Sequence, residues 1–374
     1  MTWLITGGAG YIGAHVVRAM RAAGERTVVY DDLSVGDAQR VPDGVALVVG
    51  STREPKLIAR ALDGHRITGV IHLAGCHRVD ESVEQPLRYY RENVEGLRVL
   101  LDAVVEAGVT SFVLASSAAV YGAPAADLIA EDTPCQPVSP YGETKLAGEW
   151  LVRAAGRAHG IATAVLRHFD VAGAAVPELA DTAAVGLVPQ TLDRLGDGLP
   201  PQVYGGDRPT HDGSCVRDLV HVADLADAHV AAAQRLAAAS GAGTGLTLNV
   251  GRGEGVSVRE VVAAVTAAAG REDEPEVLPR RAGDPARLVA DVDRAAQVLG
   301  WRPRHSLADI VTSARAGWLR AHPGADRPRA RTATGSATAA RPAGPTAVAA
   351  ARTSGRLSAA TAPPARPAAG SPGR

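Results

Sequence analysis

Cysteine is scarce: Cys76, Cys135 and Cys215 are the only three in 374 residues. Their spacing matches no zinc motif, so no metal site is expected, and an odd number suits a reducing compartment better than a disulfide framework. Long hydrophobic runs are missing too. The chain opens MTWLITGGAG, without a basic leader segment, and no stretch reaches membrane-spanning length. The expectation is a soluble, cytoplasmic protein with no membrane partner. Nor does one charge dominate. The formal net charge is −1, which gives nucleic acid or lipid no field to follow. The balance is uneven, because residues 324–374 carry eight arginines and one acid, Asp326, leaving the preceding body at −8. An acidic body with a basic tail argues against a nucleic-acid partner. A G-x-S-x-G elbow is absent as well, which removes the α/β-hydrolase triad.

What is present is a rhythm. Short β-rich runs at 3–6, 26–31, 46–50, 69–74, 111–116 and 163–168 alternate with helical patterns, notably 11–23, 92–107 and 141–159. Such alternation predicts right-handed βαβ crossovers and a doubly wound parallel sheet covered on both faces, an α/β fold. After about residue 170 the rhythm loosens into Gly/Pro-rich stretches such as 196–206, with further helices near 224–239, 257–269 and 306–319. We read 1–170 as a cofactor-binding domain, to which segments of about 210–250 return. Residues 171–322 read as a smaller, interleaved α/β lobe for substrate. The remainder, 323–374, is Ala, Pro, Arg, Thr, Gly and Ser with few large apolar side chains; it cannot bury enough surface to offset its ordering entropy, so disorder is expected.

The first strand ends in Gly7-Gly8-Ala9-Gly10-Tyr11-Ile12-Gly13. Glycines at 7, 10 and 13 stand between a strand and a helix. The first permits a tight turn, the second lets a pyrophosphate approach the backbone, and the third lets the helix pack on the strand. The helix N-terminus then offers free N–H groups and partial positive charge to phosphates, with Tyr11 and Ile12 in its first turn. Asp31 ends the second strand, where a carboxylate would accept hydrogen bonds from ribose hydroxyls and repel a 2′-phosphate. This favours NAD over NADP in a Rossmann-type domain. Leu73, Ala74 and Gly75 close the fourth strand beside the same cofactor, and Asn93 at the start of the next long helix is a further candidate contact, although such an asparagine is often only a cap.

Ser139-Pro140-Tyr141-Gly142-Glu143-Thr144-Lys145 holds Tyr-x-x-x-Lys. On a helix this puts a phenol and an ammonium on one face. A phenol ionises near pH ~10, and a neighbouring cation is expected to lower that value toward use as a base at neutral pH. Tyr141 could then take a proton from a sugar hydroxyl as hydride leaves the same carbon. The strand ending Ala115-Ser116-Ser117 supplies a serine at the carboxyl edge. Ser117 is the better candidate to bridge substrate and Tyr141, because Ser116 should face the other way.

The segments TGGAGYIGAH, IHLAG, ESVEQPLRYYRENVEG, SSAAVYG, SPYGETKLAGE, DGSCVRDLVHVADLADAHV, LNVGRGEGVSVREVV and RRAGDPARLVAD resemble, in order, segments of the UDP-glucose 4-epimerase family of extended short-chain dehydrogenase/reductases. The likeness covers about residues 2–320. It implies oxidation at C4 of a nucleotide sugar, rotation of the 4-keto sugar, and return of the same hydride to the other face, with NAD regenerated each turnover. It also implies that Arg217 and Arg281 bind the diphosphate, that Asp284 binds ribose, that Asp170 lies beside the diphosphate, and that the chain forms a homodimer through helices 92–107 and 141–159.

The likeness has gaps. His77 stands where relatives have a lysine, Asp170 where they have asparagine, Val185 and Gly186 where an asparagine pair opens a helix, Ser51 for an acid, Asp32 for an asparagine, and Leu288 at a position that tunes acceptance of an N-acetyl group. An altered nucleotide-sugar preference is therefore expected. A dehydratase of the same superfamily would carry an Asp-Glu pair after the serine, where this chain has Ala118 and Ala119. Another enzyme of the superfamily with different sugar specificity, or a non-catalytic NAD-binding homologue, is the alternative.

Overall fold

Strand β1 (Thr2–Thr6) buries every residue after its first, the signature of a strand covered on both faces. A computed structural model describes residues 1–183, 185–238, 244–281 and 283–324. The basic extension read from 323 onward lies outside them, apart from its first two residues.

In the first half, β1 is followed by α1 (Tyr11–Ala22), β2 (Arg26–Asp31), β3 (Ala46–Val49), α2 (Pro55–Gly64) and β4 (Gly69–His72). Next come α3 (Val79–Glu84), α4 (Pro86–Tyr89), a π-helical turn (Tyr90–Glu95), α5 (Gly96–Glu106), β5 (Ser111–Ser117), α6 (Pro140–His159) and β6 (Ala162–His168). The second half holds β7 (Asp170–Ala172), α7 (Leu187–Gly196), β8 (Gln202–Tyr204), β9 (Val216–His221), α8 (Val222–Ala237), β10 (Gly245–Val250), β11 (Gly255–Ser257) and α9 (Val258–Ala268). It ends with β12 (Glu276–Leu278), β13 (Arg287–Leu288), α10 (Asp293–Leu299) and α11 (Leu307–Ala321).

Seven parallel strands form one sheet in the order β10-β6-β5-β4-β1-β2-β3. The alternation of a pleated strand sorts its core to two faces. Trp3 and Ile5 join Val16, Val17 and Met20 of α1 and Leu225 of α8, whereas Leu4 joins Ile58 of α2, Leu97 and Leu100 of α5 and Val152 of α6. The strand order reverses between β4 and β2 on either side of β1. Doubly wound sheets open a ligand crevice at the carboxyl ends of the strands at such a switch point. Strands β11, β9, β13 and β7 make a separate small sheet, and β12 pairs with β8. Of the stretch 210–250, β10 lies in the large sheet and β9 in the small one. Among the described residues no helix is long and apolar enough to cross a membrane.

One element departs from the sequence reading. The helix expected over 92–107 begins as the π-helical turn, so Asn93 lies inside a widened turn rather than at a helix start. The reading took the next helix as regular, whereas Asn93 is drawn inward by three tertiary hydrogen bonds, a feature periodicity does not carry.

Candidate active site

The switch point is built from glycine. Gly7 has φ +70°, open to residues without a side chain, and a Cβ at Gly13 would lie 2.0 Å from the Gly7 carbonyl oxygen. Helix α1 therefore starts hard against β1. Its N-cap is Gly10, with no side-chain cap and no acid in the first turn, so its leading N–H groups stay free for phosphate oxygens. The Tyr11 side chain leaves this cradle and donates from its hydroxyl to the Gly173 carbonyl at 2.6 Å. Ile12 packs at the edge of the core. Asp31 is buried at the end of β2; one carboxylate oxygen accepts from Ala9 N–H at 3.0 Å and the other from Leu33 N–H at 2.9 Å. Each oxygen keeps a lone pair for a ribose hydroxyl. Burial raises the Asp31 carboxyl above its ordinary value, opposed by those two N–H groups. These residues fit a dinucleotide: uncapped N–H groups for the pyrophosphate, a backbone with no Cβ in the way, and an acid for ribose.

Across the crevice, Gly75 leaves β4 at φ +145°, just after Leu73 and Ala74, and a Cβ there would meet the Asn93 side-chain oxygen at 2.8 Å. Asn93 accepts from Cys76 N–H at 2.8 Å and donates to the Cys76 carbonyl and to Thr144 Oγ1, each at 3.0 Å. Its amide is spent on tying this loop to α6. His77 follows on the loop, with its imidazole held below its ordinary value by burial first and by Lys145 next.

Helix α6 starts where the sequence says it should. Ser139 caps it by accepting from Gly142 N–H at 3.2 Å, Pro140 takes the first helical position, and Gly160 ends it in the left-handed conformation. Tyr141 thus sits in the first turn, facing the end of β5, where the Ser117 hydroxyl lies close enough to lower its phenol and itself accepts from Ala119 N–H. Lys145, one turn on, donates from Nζ to the Ala115 carbonyl at 3.0 Å and lies 5.8 Å from the Tyr141 ring centroid. Burial brings Lys145 down to about 8. Tyr141 differs from expectation. Its phenol is raised above the ordinary value by burial, with Ser117 opposing, and Lys145, which gives up its own charge near 8, is neutral before the unassisted phenol ionises. Ser116 faces away and donates to Glu149 at 2.6 Å.

The sequence reading missed the layer beneath. Glu149 is fully buried on α6 and accepts two hydrogen bonds from Arg167 of β6, at 2.9 and 2.7 Å, and one from Arg153 at 2.6 Å. Arg167 also donates to the Tyr121 hydroxyl at 2.8 Å. This network fixes α6 to β5 and β6 just below the Ser117–Tyr141 pair.

The substrate candidates lie apart from this cluster, around β7, β9 and β13. Asp170 opens β7 and is solvent-accessible; the protein packed around it raises its carboxyl, with Arg217 lowering and Asp284 raising it. Arg217 donates to the Val216 and Pro285 carbonyls at 3.0 and 2.9 Å and lies 3.6 Å from Asp284. Arg281 is stacked 3.7 Å from the Tyr204 ring centroid. Tyr204 and Arg208, which donates to the Asp284 carbonyl at 2.6 Å, were not read from the sequence. Among the departures, Leu288 is buried with Tyr121, Leu146 and Phe169, and Gly186 leaves α7 without a side-chain cap. The Val185 carbonyl accepts from Gln190, the Ser51 carbonyl from Tyr30, and Asp32 from Ser34.

A model of the NAD dependent epimerase/dehydratase family matches residues 3–251. The chain belongs to that family. Among curated members, UDP-glucose 4-epimerase of Azospirillum brasilense is 43% identical to this epimerase-family chain over 321 residues, 85% of this chain and 91% of that one. Among solved structures, UDP-glucose 4-epimerase from Stenotrophomonas maltophila with bound NAD and formylated UDP-arabinopyranose has a TM-score of 0.80 at 36% identity, covering 86% of this chain and 98% of that one. The enzyme from Bifidobacterium longum in complex with NAD+ and UDP also has a TM-score of 0.80, at 33% identity, covering 87% and 100%. The glycine turn and the Ser117–Tyr141–Lys145 arrangement both fall in the part shared with these relatives. The cofactor of this epimerase-family protein is NAD.

Proposed function

We propose that this protein is a nucleotide-sugar 4-epimerase of the UDP-glucose type. The observation that carries the reading is a buried phenol beside Ser117, one helical turn from Lys145, at the sheet edge beside a glycine cradle. In this reading Gly7, Gly10, Tyr11, Ile12, Gly13, Asp31, Leu73, Ala74, Gly75, Tyr141 and Lys145 line the cofactor crevice, and Asn93 braces it. Residues 1–170 are taken as the cofactor domain and 171–322 as the substrate lobe. Bound NAD would supply the hydride acceptor and donor for C4 and, when oxidised, a positive charge.

The chain's own work is proton traffic and grip. Ser117 aligns the sugar hydroxyl with the Tyr141 oxygen. Tyr141 takes the C4 hydroxyl proton and later returns it. Lys145, charged below about pH 8, stabilises the phenolate. Because burial raises the Tyr141 phenol in this structure, ionisation is easiest once further positive charge enters the site, which couples proton removal to cofactor binding. Arg217 and Arg281 hold the diphosphate and Asp284 a ribose while the sugar turns. For this, Arg281 must swing off Tyr204 and Arg217 must share its guanidinium with the ligand. Asp170 near that diphosphate disfavours full negative charge unless it is protonated or paired with Arg217, and supports an altered sugar preference.

The test is interconversion of UDP-glucose and UDP-galactose by the purified protein, with a panel of other nucleotide sugars beside it. Tyr141→Phe should lower kcat by about 10²–10⁴-fold while NAD stays bound. Full turnover by Tyr141→Phe would remove the phenol from the chemistry. We also infer a homodimer, since Val83, Leu87, Tyr90 and Trp150 are exposed on α3, α4, the π-helical turn and α6. A cytoplasmic location fits the three free thiols.

A further inference from the structure

Two loops meet over the first turns of α1. One follows β2 and runs over 32–41; the other, 173–183, follows β7. The first is anchored to the glycine turn, with Asp37 N–H donating to the Ala9 carbonyl at 3.0 Å. The second is anchored to α1, through the Tyr11 hydroxyl on the Gly173 carbonyl and through Ala175 N–H on His15 Nε2 at 3.1 Å. One side chain joins them. A short 3₁₀ turn (Ala38–Arg40), capped by the Asp37 carboxylate on Gln39 N–H, aims Arg40 outward. Its Nη2 donates to the Ala180 carbonyl and to Thr182 Oγ1, both at 2.9 Å. Among the described residues these are the hydrogen bonds between the two loops. Asp181, between the two acceptors, has its carboxyl raised by burial, opposed by Ala183 N–H, by His77 and by Arg40.

We propose that Arg40 is a clasp that retains the cofactor. NAD lying along the glycine turn, with ribose at Asp31, is roofed where loop 32–41 meets loop 173–183, and its release requires both Arg40 bonds to break. The inference rests on the cofactor crevice described under the proposed function. Arg40 is a positioning residue, since it reaches the reaction only through the two loops. Slow release suits a cycle in which the cofactor is restored at every turnover and never has to exchange.

The test uses the full chain loaded with NAD, desalted rapidly, and sampled over time for bound NAD by absorbance and chromatography. Arg40→Ala should lose NAD about tenfold faster than the wild type, the effect of two neutral-acceptor hydrogen bonds at a solvent-accessible junction. Arg40→Lys should fall between them, and Thr182→Ala, which keeps the Ala180 bond, should show a smaller acceleration. The NAD concentration for half-maximal turnover should rise with Arg40→Ala by more than kcat falls. Unchanged NAD loss from a folded Arg40→Ala protein would overturn the clasp alone. So would a kcat that drops as steeply with NAD in excess. A wild-type chain that takes up no NAD at all would overturn the crevice and the clasp together.

Discussion

Lys145 is one of two lysines in the chain, the other being Lys56, against 37 arginines. An arginine keeps its charge at any working pH, whereas a buried lysine gives it up, and burial brings Lys145 to about 8. Two lysines make that value accessible: ¹³C-methyl labelling should give a lysine resonance that titrates near pH 8 and is missing from Lys145→Arg. The sign is definite. Below about pH 8 the ammonium is charged and supports a Tyr141 phenolate; above it the support fades, so turnover should decline on the alkaline side. Lys145→Met should lower kcat by about 10²-fold or more. The Tyr-x-x-x-Lys spacing was legible because helical geometry alone puts the two on one face. Its electrostatic consequence was not, since it depends on how deeply the fold buries both groups, which lowers Lys145 and raises Tyr141.

Helix α6 shows what supports a site from below. Its start was legible from Ser139 and Pro140, because capping is local chemistry. The Glu149–Arg167 pair was not, because strand β6 and helix α6 meet only in three dimensions, and Arg167 read as part of an apolar strand. Arg167→Met leaves a fully buried carboxylate with fewer partners and should cost about 3 kcal/mol of stability, measured by denaturant unfolding. An unchanged midpoint would show the pair to be neutral. The opposite case is α1. Its glycines were legible from position alone, and the close approach of Gly13 to the Gly7 carbonyl predicts that Gly13→Ala pushes the helix off β1, weakening NAD uptake and lowering the melting temperature together. Asn93 lies between these cases: visible as a buried polar residue, but assigned to the cofactor when its amide holds Cys76 and Thr144.

Across the molecule, histidine is the titrating group the sequence hides best. His15, His221 and His229 are held down to about 4 and His72 to about 3, all chiefly by burial, and His168 is lowered well below its usual value, packed edge-on to His229. A group whose charged form is disfavoured on folding gives stability above its unfolded value and loses it as pH falls toward the folded one. The window is therefore about pH 6.5 down to 4, with a slope of ~1.4 kcal/mol per pH unit for each proton taken up on unfolding. Asp218, raised to about 6 by burial, works the other way, as do the raised Asp31, Asp170, Asp181 and Asp227, but carboxyls titrate from a lower ordinary value, so between pH 6.5 and 5 the histidines, His77 included, set the sign. Urea midpoints should thus fall between pH 6.5 and 5; a flat profile there would mean the histidines take up protons in the folded protein as readily as in the unfolded chain. The same molecule must also perform the reaction, and that is tested most directly at the reacting carbon. With UDP-glucose carrying deuterium at C4, the purified protein should form UDP-galactose that keeps the deuterium at C4, and Tyr141→Phe should form almost none. Product that has exchanged its label with solvent, or product formed equally well without the Tyr141 hydroxyl, would contradict the account.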